Sequence, residues 1–383
     1  AFKKNVPSNT TLANSFKAVT YTGNSSTNSI TGVGFKPDLV WLKERSGTDR
    51  NVLIDTIRGE GSQLSSNDNA AETTYSSNLE SFDTDGFTLG SATETNGNGE
   101  TYVGWAWKAG NTWEFNIDGA TSSIVNANTA NGFSIVKWVG TANSQTTVGH
   151  GLNSTPELII SKNLDTAAND GWPVYSSAIG NDHTLFLNSD GGKSSSSGTW
   201  GSTSPTSSVF TVQDNASNNQ SGNEIIAYCF HSVSGYSKIG SYTGTGTSSR
   251  SFTLLDFQPD FVMVKSLTQS DGRWHMYDSA RGVKKRLLAN SNGAEYNEAT
   301  GGSAGLNSFD STGWTIGNDG HMNQNGETYL YMAFKTNLPA ADAAGKMAFL
   351  VIGGGGAGGG NSNSGGGGAG GLRTSYGSSS GGG

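Results

Sequence analysis

The sequence predicts an all-β protein of three tandem β-sandwich modules followed by a glycine-rich C-terminal segment. Three observations support this prediction. The chain is rich in glycine (56 of 383 residues) and poor in charged residues (14%), which is typical of turn-rich β-structure and unlike helical bundles. One pattern of short apolar runs occurs three times. Clusters of Gly, Asn, Ser and Asp separate these runs, as in sandwiches of jelly-roll or lectin-like type.

The repeated pattern is clearest in two strands. A proline-started strand occurs at 35–43, 156–162 and 257–265, and a closing strand at 99–108, 223–231 and 326–335. Pro37, Pro156 and Pro259 each stand where an apolar run begins, a position where a fixed φ and a missing N–H are tolerated. An Asp-x-x-Arg-Gly turn and a Ser-Phe block occur in the first and third copies.

These matches set the expected boundaries. We predict an N-terminal segment at 1–15, a linker at 114–131 and a glycine-rich segment at 339–383, with the modules between them. The modules are called repeat 1 (16–113), repeat 2 (132–235) and repeat 3 (236–338), and we expect them to be joined end to end. The apolar runs at 40–42 and 261–264 suit strands that are covered on both faces or lie at a module junction. The glycine-rich segment is either a flexible linker or a set of packed polyproline-II-like strands.

At these residues the chain resembles a repeated module of tail-fibre-like and other structural proteins of tailed phages, particularly marine ones. The resemblance covers about residues 16–338, and repeat 2 lacks both the Asp/Arg turn and the Ser-Phe block. Residues 349–360 resemble the start of glycine-rich domains in phage fibres and adhesins. The resemblance implies a virion structural protein on the particle surface, a tail fibre or appendage for host attachment. The implied partners are other virion proteins, further copies of the chain (commonly trimers in such fibres), and a host glycan or protein receptor.

Three alternatives stay open: a capsid-surface fibre or decoration protein, a polysaccharide depolymerase, and a cellular adhesin. The residues give no sign of an enzyme. The five histidines (His150, His183, His231, His275, His321) fall at unrelated positions of the repeats, and no nucleophile elbow, zinc motif or phosphate loop occurs. We therefore predict no catalytic residue, no metal and no cofactor.

The charge balance also excludes partners. The net charge is −8, and the only tight basic cluster is 284–286. Nucleic-acid binders concentrate Lys and Arg to neutralise phosphates, so we predict no nucleic-acid partner. An acidic chain is likewise unsuited to an anionic membrane surface, and its apolar runs are too short for a membrane helix.

Two Asp/Arg pairs are candidate structural ion pairs: Asp55 with Arg58, and Asp278 with Arg281. The equivalent positions of repeat 2 hold Ser176 and Ile179, so that both charges disappear together. Joint loss is expected of a partly buried pair, because removal of one partner leaves the other charge uncompensated.

Three tryptophans in polar loops are candidate binding residues: Trp172, Trp200 and Trp274. An aromatic ring in a polar loop can stack on a sugar, and phage receptors are often glycans. The alternative is that each indole covers the edge of its own sandwich. Cys229, within an apolar strand, is expected to be a small buried hydrophobic residue.

Overall fold

Each repeat folds as a large antiparallel sheet with a small sheet packed on one face. The computed structural model describes residues 14–141, 143–166, 171–201, 203–301, 305–317, 319–336, 350–352 and 372–374. The chain is 44% strand and 3% helix. The all-β, multi-sandwich fold class predicted from the sequence is confirmed.

Repeat 1 contains nine strands and one helical turn. They are β1 (Phe16–Thr22), β2 (Asn28–Thr31), β3 (Leu39–Glu44), β4 (Val52–Asp55), β5 (Ser62–Ser65), β6 (Thr73–Thr74), β7 (Ser81–Asp83), β8 (Gly86–Leu89), α1 (Thr93–Asn96) and β9 (Thr101–Trp107). The large sheet has the order β1-β9-β3-β4-β5-β6, and the small sheet has the order β2-β8-β7. The closing strand β9 therefore lies between the first strand and the proline-started strand.

Repeat 2 has the same plan with two strands added at one edge. Its elements are β10 (Glu114–Asn116), β11 (Ser123–Asn128), β12 (Phe133–Val139), β13 (Thr146–Gly149), β14 (Leu158–Asn163), β15 (Pro173–Ser176), β16 (His183–Phe186), β17 (Ser194–Ser195), α2 (Ser197–Trp200), β18 (Val209–Val212) and β19 (Glu224–Phe230). The large sheet has the order β10-β11-β12-β19-β14-β15-β16-β17, and β13 pairs with β18. Residues 114–131, the expected linker, thus contain two strands that extend this sheet.

Repeat 3 returns to the plan of repeat 1. Its elements are β20 (Ser237–Thr243), β21 (Ser249–Phe252), β22 (Phe261–Ser266), β23 (Trp274–Asp278), β24 (Lys285–Leu288), β25 (Tyr296–Asn297), α3 (Glu298–Gly301), β26 (Leu306–Asp310), β27 (Gly313–Gly317) and β28 (Thr328–Phe334). The sheet orders are β20-β28-β22-β23-β24-β25 and β21-β27-β26. The register is also preserved, because Leu39, Leu158 and Phe261 each lie opposite the last residue of the closing strand.

By its contacts the chain divides into two compact units, Ala1–Leu338 and Pro339–Gly383. In the second unit the structure describes two antiparallel strands, β29 (Leu350–Ile352) and β30 (Leu372–Thr374), with Leu350 opposite Thr374. The two interpretations of the remaining glycine-rich segment concern residues outside the described ones.

Both faces of each large sheet are apolar, because adjacent residues of a strand point to opposite faces. In β3, Val40 and Leu42 pack into the sandwich core of repeat 1 with Phe87 of the small sheet. Leu39 and Trp41 point the other way, into a core shared by all three repeats. The continuous apolar runs seen in the sequence are therefore explained by burial on both faces.

The shared core shows that the repeats face one another, so the expectation that they are joined end to end is wrong. Trp107, Phe230 and Phe334 end the three closing strands, and their rings contact each other mutually. The ring centroids lie 6.5 Å apart for Trp107 and Phe230, and 5.9 Å apart for each of the other two pairs. An end-to-end arrangement would leave these apolar outer faces exposed to water. Such exposure is strongly unfavourable because of the hydrophobic effect.

Equivalent backbone hydrogen bonds close the three repeats into a cycle. The N–H of Glu72 donates to the carbonyl oxygen of Leu164 in repeat 2 (2.8 Å), that of Lys193 to Leu267 in repeat 3 (2.6 Å), and that of Glu295 to Arg45 in repeat 1 (2.9 Å). Donors and acceptors occupy the same place in each repeat. The three interfaces are thus related by an approximate threefold rotation.

Candidate functional site: repeat interfaces and an exposed edge strand

Trp172 and Trp274 lie in the interfaces between repeats. Each stands at the start of a strand of its large sheet, and each is buried. The Nε1–H of Trp172 donates to the carbonyl oxygen of Ser65 in repeat 1 at 2.8 Å. The Nε1–H of Trp274 donates to the carbonyl oxygen of Phe186 in repeat 2 at 2.9 Å. Both indoles therefore join neighbouring repeats and expose no ring face to a sugar in this structure.

In repeat 1, Asn51 makes the equivalent hydrogen bonds to a neighbouring repeat. It occupies the position of the two tryptophans and is buried. Its Nδ2 donates to carbonyl oxygens of repeat 3, those of Leu288 (3.0 Å), Ala289 (2.9 Å) and Ser291 (3.1 Å). The position thus supplies a hydrogen-bond donor to the next repeat in all three interfaces.

Trp200 lies within repeat 2, at the end of α2. Its ring is buried against Tyr175 with centroids 6.0 Å apart, and its Nε1–H donates to Thr184 Oγ1 at 3.0 Å. This indole covers the edge of its own sandwich, which is the alternative weighed for it in the sequence analysis. Like the other two, it exposes no ring face for stacking in this structure.

The Asp55/Arg58 pair is buried between repeats 1 and 2. Arg58 Nε contacts Asp55 Oδ2 at 2.5 Å, and both side chains are almost free of solvent. Tyr228 of repeat 2 donates its hydroxyl hydrogen to the same Asp55 oxygen at 2.8 Å. Burial lowers the pKa of Arg58, but the attraction of Asp55 outweighs it, so this pKa lies above its usual value. The guanidinium therefore stays charged and also pairs with Glu72 at 3.0 Å.

The Asp278/Arg281 pair has the same geometry between repeats 3 and 1. Arg281 Nε contacts Asp278 Oδ2 at 2.6 Å, and Trp105 of repeat 1 donates its Nε1–H to that oxygen at 2.9 Å. Arg281 also pairs with Glu295 at 3.3 Å, and Arg45 of repeat 1 pairs with Glu295 at 2.9 Å. Both Asp/Arg pairs thus receive a donor from the closing strand of the neighbouring repeat.

The third interface, between repeats 2 and 3, lacks both the Asp/Arg pair and the hydrogen-bond donor that would face it. Repeat 2 holds Ser176 and Ile179 in place of the pair, and the closing strand of repeat 3 holds Met332, which has no hydrogen to donate. Met332 lines a small central cavity together with Ile160 and Leu187 of repeat 2. The sequence reveals the loss of the charges, but only the fold reveals that the donor is lost with them.

Three equivalent lysines are buried beside the interfaces: Lys43, Lys162 and Lys265. Burial lowers the pKa to about 8 for Lys43 and Lys162, and to about 7 for Lys265. Lys265 Nζ donates to the carbonyl oxygen of Asp190 in repeat 2 at 2.9 Å and to that of Gly272. The Nζ groups of all three lysines donate hydrogen bonds to backbone carbonyl oxygens.

Repeat 3 contains a buried polar cluster. Among the described residues, neither ring nitrogen of the buried His275 has a hydrogen-bond partner, and the ring stacks on that of His321 with centroids 5.7 Å apart. Tyr277 donates its hydroxyl hydrogen to Glu298 Oε1 at 2.8 Å. Burial, aided by nearby cations such as Arg286, lowers the pKa of His275 well below its usual value. The imidazole is therefore neutral at physiological pH.

Metal and thiol chemistry find no support in the described part of the chain. There, no group of three or more His, Cys, Asp or Glu side chains is arranged to hold a metal ion. Cys229 is free and buried, and burial raises the pKa of its thiol, so the thiolate needed for reactivity is disfavoured. None of the described helices has the length and apolar character needed to cross a membrane.

Exposed hydrophobic side chains concentrate at strand β10. Trp113, Phe115 and Ile117 alternate along this edge and are 54%, 74% and 80% exposed. The rings of Trp113 and Phe115 meet edge to face with centroids 5.8 Å apart. All other tryptophans of the chain are buried: Trp41, Trp105, Trp107, Trp138, Trp172, Trp200, Trp274 and Trp314. Trp113 and Phe115 are thus the most exposed of the described aromatic side chains, and they stand together at β10.

This stripe continues the face of the repeat 2 sheet that packs on repeat 1. Phe115 lies opposite Ile124 of β11, and two residues further along the same face of β11 is Asn126. Asn126 Nδ2 donates to Asp38 Oδ1 of repeat 1 at 3.0 Å. Repeat 1 therefore covers this face at Asn126 of β11, whereas the part of the face at β10 is exposed.

Comparison with known proteins places the chain in a family. A family model described as "Domain of unknown function (DUF7483)" matches residues 12–339. The chain belongs to the DUF7483 family. Searches of the curated proteins and of the solved structures found no match.

The extent of the DUF7483 match agrees with the architecture. The matched range includes all three repeats and the added strands β10 and β11. The DUF7483 domain is thus the whole cycle of three sandwiches rather than a single one, as expected when each repeat buries its outer face on the other two.

The exposed edge strand was not predicted from the sequence. The signal was present, because 113–117 reads Trp-Glu-Phe-Asn-Ile, an alternation of apolar and polar residues that is typical of a strand with one apolar face. Its position in an expected linker, without a counterpart in repeats 1 and 3, hid it.

Proposed function

We propose that this chain is a structural protein of a tailed-phage particle, a tail fibre or appendage protein that takes part in host attachment. One observation carries the proposal beyond the resemblance of the repeats. The side chains that elsewhere form binding or catalytic sites, namely the tryptophans and the Asp/Arg pairs, here lock three sandwiches to one another. Such an interior suits a part that has to keep its shape within a larger assembly.

The locking contacts support a rigid building block. Each of the three interfaces combines a shared apolar core with hydrogen bonds from one repeat to the next. Buried hydrogen-bonded polar groups are costly to separate, because each partner would lose its hydrogen bonds in a dry environment. A body held in this way resists separation of its repeats, which suits a part of a particle appendage.

Attachment would then depend on exposed residues. Trp172, Trp200 and Trp274 are buried, so a receptor or a neighbouring virion protein would contact surface loops or the β10 edge instead. Loops vary more readily than the sheets that carry them, which suits recognition of different hosts on one scaffold.

The experiment is to locate the chain on the particle and to test the purified protein against the host. Antibodies raised against the purified chain are used for immunogold labelling of particles produced from the same genome. Label on the tail, together with inhibition of adsorption by the purified protein, would support the proposal. Label confined to the capsid, absence from purified particles, or release of sugar from host polysaccharide by the purified protein would each contradict it.

A further inference from the structure

We propose that two copies of this chain associate through strand β10, so that the large sheets of their second repeats join into one continuous sheet. This inference goes beyond the proposed function, because it concerns the isolated protein in solution. The strand lies at the end of the sheet and pairs only with β11 among the described strands. An unpaired edge of this kind is a template for another strand.

The choice of a second copy as partner follows from the sequence of the edge. Antiparallel pairing around a twofold axis at Phe115 would place Phe115 opposite Phe115 of the other copy. Trp113 would then lie opposite Ile117, and Glu114 opposite Asn116. Aromatic pairs and aromatic–β-branched pairs are favourable across antiparallel strands, and like charges do not meet in this register. The edge is thus complementary to itself, as a twofold interface requires.

The position of the stripe gives a second, independent argument. It continues the face that repeat 1 already covers, where Asn126 contacts Asp38. Trp113 is the one tryptophan of the chain that is not buried. A contiguous apolar surface of this kind on a soluble domain marks an interaction site. Pairing through β10 would cover the bare part of that face in both copies.

The hairpin formed by β10 and β11 is suited to pairing with a second copy. Among the described strands, β10 and β11 have no counterpart in the sheets of repeats 1 and 3, which begin with β1 and β20. The added strands are not needed to complete the sandwich, because the described sheets of the other two repeats form one without them. They carry the sheet outward and place an apolar edge beyond the body of the repeat.

The test is the mass of the full chain in solution. Light scattering with size-exclusion chromatography should give twice the 39.7 kDa of one chain at high concentration, with dissociation on dilution in the micromolar range expected of a small interface. The fluorescence of Trp113 should become less accessible to acrylamide as the dimer forms. A wild-type chain that stays monomeric at the highest concentration would overturn the proposal.

Charge substitutions at the twofold axis give the sharper test. Phe115→Asp should weaken dimerisation at least about 100-fold, because it removes a central aromatic contact and sets two carboxylates against each other. Phe115→Lys should do the same. An equimolar mixture of the two variants should dimerise again, since the opposite charges then face each other. This rescue depends on Phe115 meeting itself and would not follow from a merely structural role.

The matched control is Tyr75→Asp, which places the same charge at another exposed aromatic (52%), in repeat 1. It should leave the dimer intact. Phe115 is 74% exposed, so at dilutions where the wild type is monomeric the variants should unfold at the wild-type temperature. A dimer that persists in Phe115→Asp, or a mixture that stays monomeric, would contradict association through β10.

Discussion

Tyr228 of repeat 2 donates its hydroxyl hydrogen to Asp55 Oδ2 of repeat 1 over 2.8 Å, and both side chains are buried. Trp105 of repeat 1 makes the equivalent bond to Asp278 of repeat 3. In the remaining interface the closing strand holds Met332, and the carboxylate that a donor would bind is missing. The donor on the closing strand and the ion pair it serves are thus present or absent together. This covariation among the three interfaces is what burial requires, because a buried carboxylate or donor without its partner would lose a hydrogen bond in a dry environment.

The Tyr228–Asp55 bond predicts the effect of removing one hydroxyl. Tyr228→Phe should lower the free energy of unfolding by about 1–3 kcal/mol, because a buried carboxylate loses a hydrogen-bond donor. Urea unfolding followed by tryptophan fluorescence measures this change. Tyr236→Phe is the matched control, since the hydroxyl of this buried tyrosine has no hydrogen bond among the described residues, and it should cost less than about 0.5 kcal/mol. Equal losses in the two variants would argue against a specific role of the Tyr228 bond.

The uncharged residues of the interface between repeats 2 and 3 can be introduced into the interface between repeats 1 and 2. Asp55→Ser alone or Arg58→Ile alone should cost about 3–5 kcal/mol, because each leaves a buried charge unpaired. The triple variant Asp55→Ser/Arg58→Ile/Tyr228→Met copies the residues of the third interface and should cost less than either single change. Glu72, which also pairs with Arg58, is partly exposed and can be hydrated after the change.

The three variants are compared by chemical denaturation at equal pH and salt concentration. A triple variant that loses as much stability as the two single variants together would contradict the covariation argument. When two charges stabilise the fold only as a pair, the losses of unfolding free energy caused by the single substitutions are expected not to add.

Much of the fold could be predicted because its signals are local. Alternating apolar residues specify strands, and Asp55 and Arg58 are close in sequence, so that their pairing needs only a turn. The partners across the interfaces could not be predicted in this way. Nothing in the linear sequence tells which repeat faces which, so the bonds from Tyr228 to Asp55 and from Trp172 to Ser65 appear only in the folded chain.

The candidate tryptophans show the same limit. Trp172 and Trp274 follow loops of small polar residues, which by composition belong at the surface. Neighbouring repeats bury them. The composition of a loop does not reveal this burial, because it depends on contacts with another repeat. Trp113 is the converse case, because a segment expected to be a linker forms the edge of a sheet.

His275 predicts a loss of stability in mild acid. Its pKa in the folded chain lies well below 6.5, whereas in the unfolded chain the ordinary value applies. As the pH falls below 6.5, the unfolded chain binds a proton that the folded chain does not, so unfolding becomes easier. Between pH 7.5 and 5.5 this group alone should remove about 1 kcal/mol of stability.

His275→Val tests this prediction, since Val52 is the equivalent residue of repeat 1. The variant should lose less stability than the wild type between pH 7.5 and 5.5 in urea titrations. His183→Val is the control, because the His183 side chain is partly exposed and lies beside Asp182. Wild-type stability that stays constant over this interval, or an unchanged slope in His275→Val, would contradict the prediction.

Lys265 predicts a gain of stability in mild alkali. Burial lowers its pKa from 10.5 to about 7, so between these values the unfolded chain holds a proton that the folded chain has released. Stability should therefore rise with pH across this window. The neutral amine still has two hydrogens, enough for its bonds to the carbonyl oxygens of Asp190 and Gly272. Lys43 and Lys162, with pKa values of about 8, should add to the effect.

Lys265→Met removes the titrating group but keeps most of the apolar side chain. Urea unfolding between about pH 7.5 and 8.5, below the range where tyrosines ionise, should show a rise in wild-type stability that is smaller in the variant by about 1 kcal/mol. Lys17→Met, at a partly exposed residue of β1, should leave the rise unchanged. If Lys265→Met shows the same rise as the wild type, the folded chain keeps the ammonium of Lys265 over this interval, because its carbonyl partners stabilise the charge more than burial disfavours it. In that case the charged form, rather than the neutral amine, joins repeats 2 and 3.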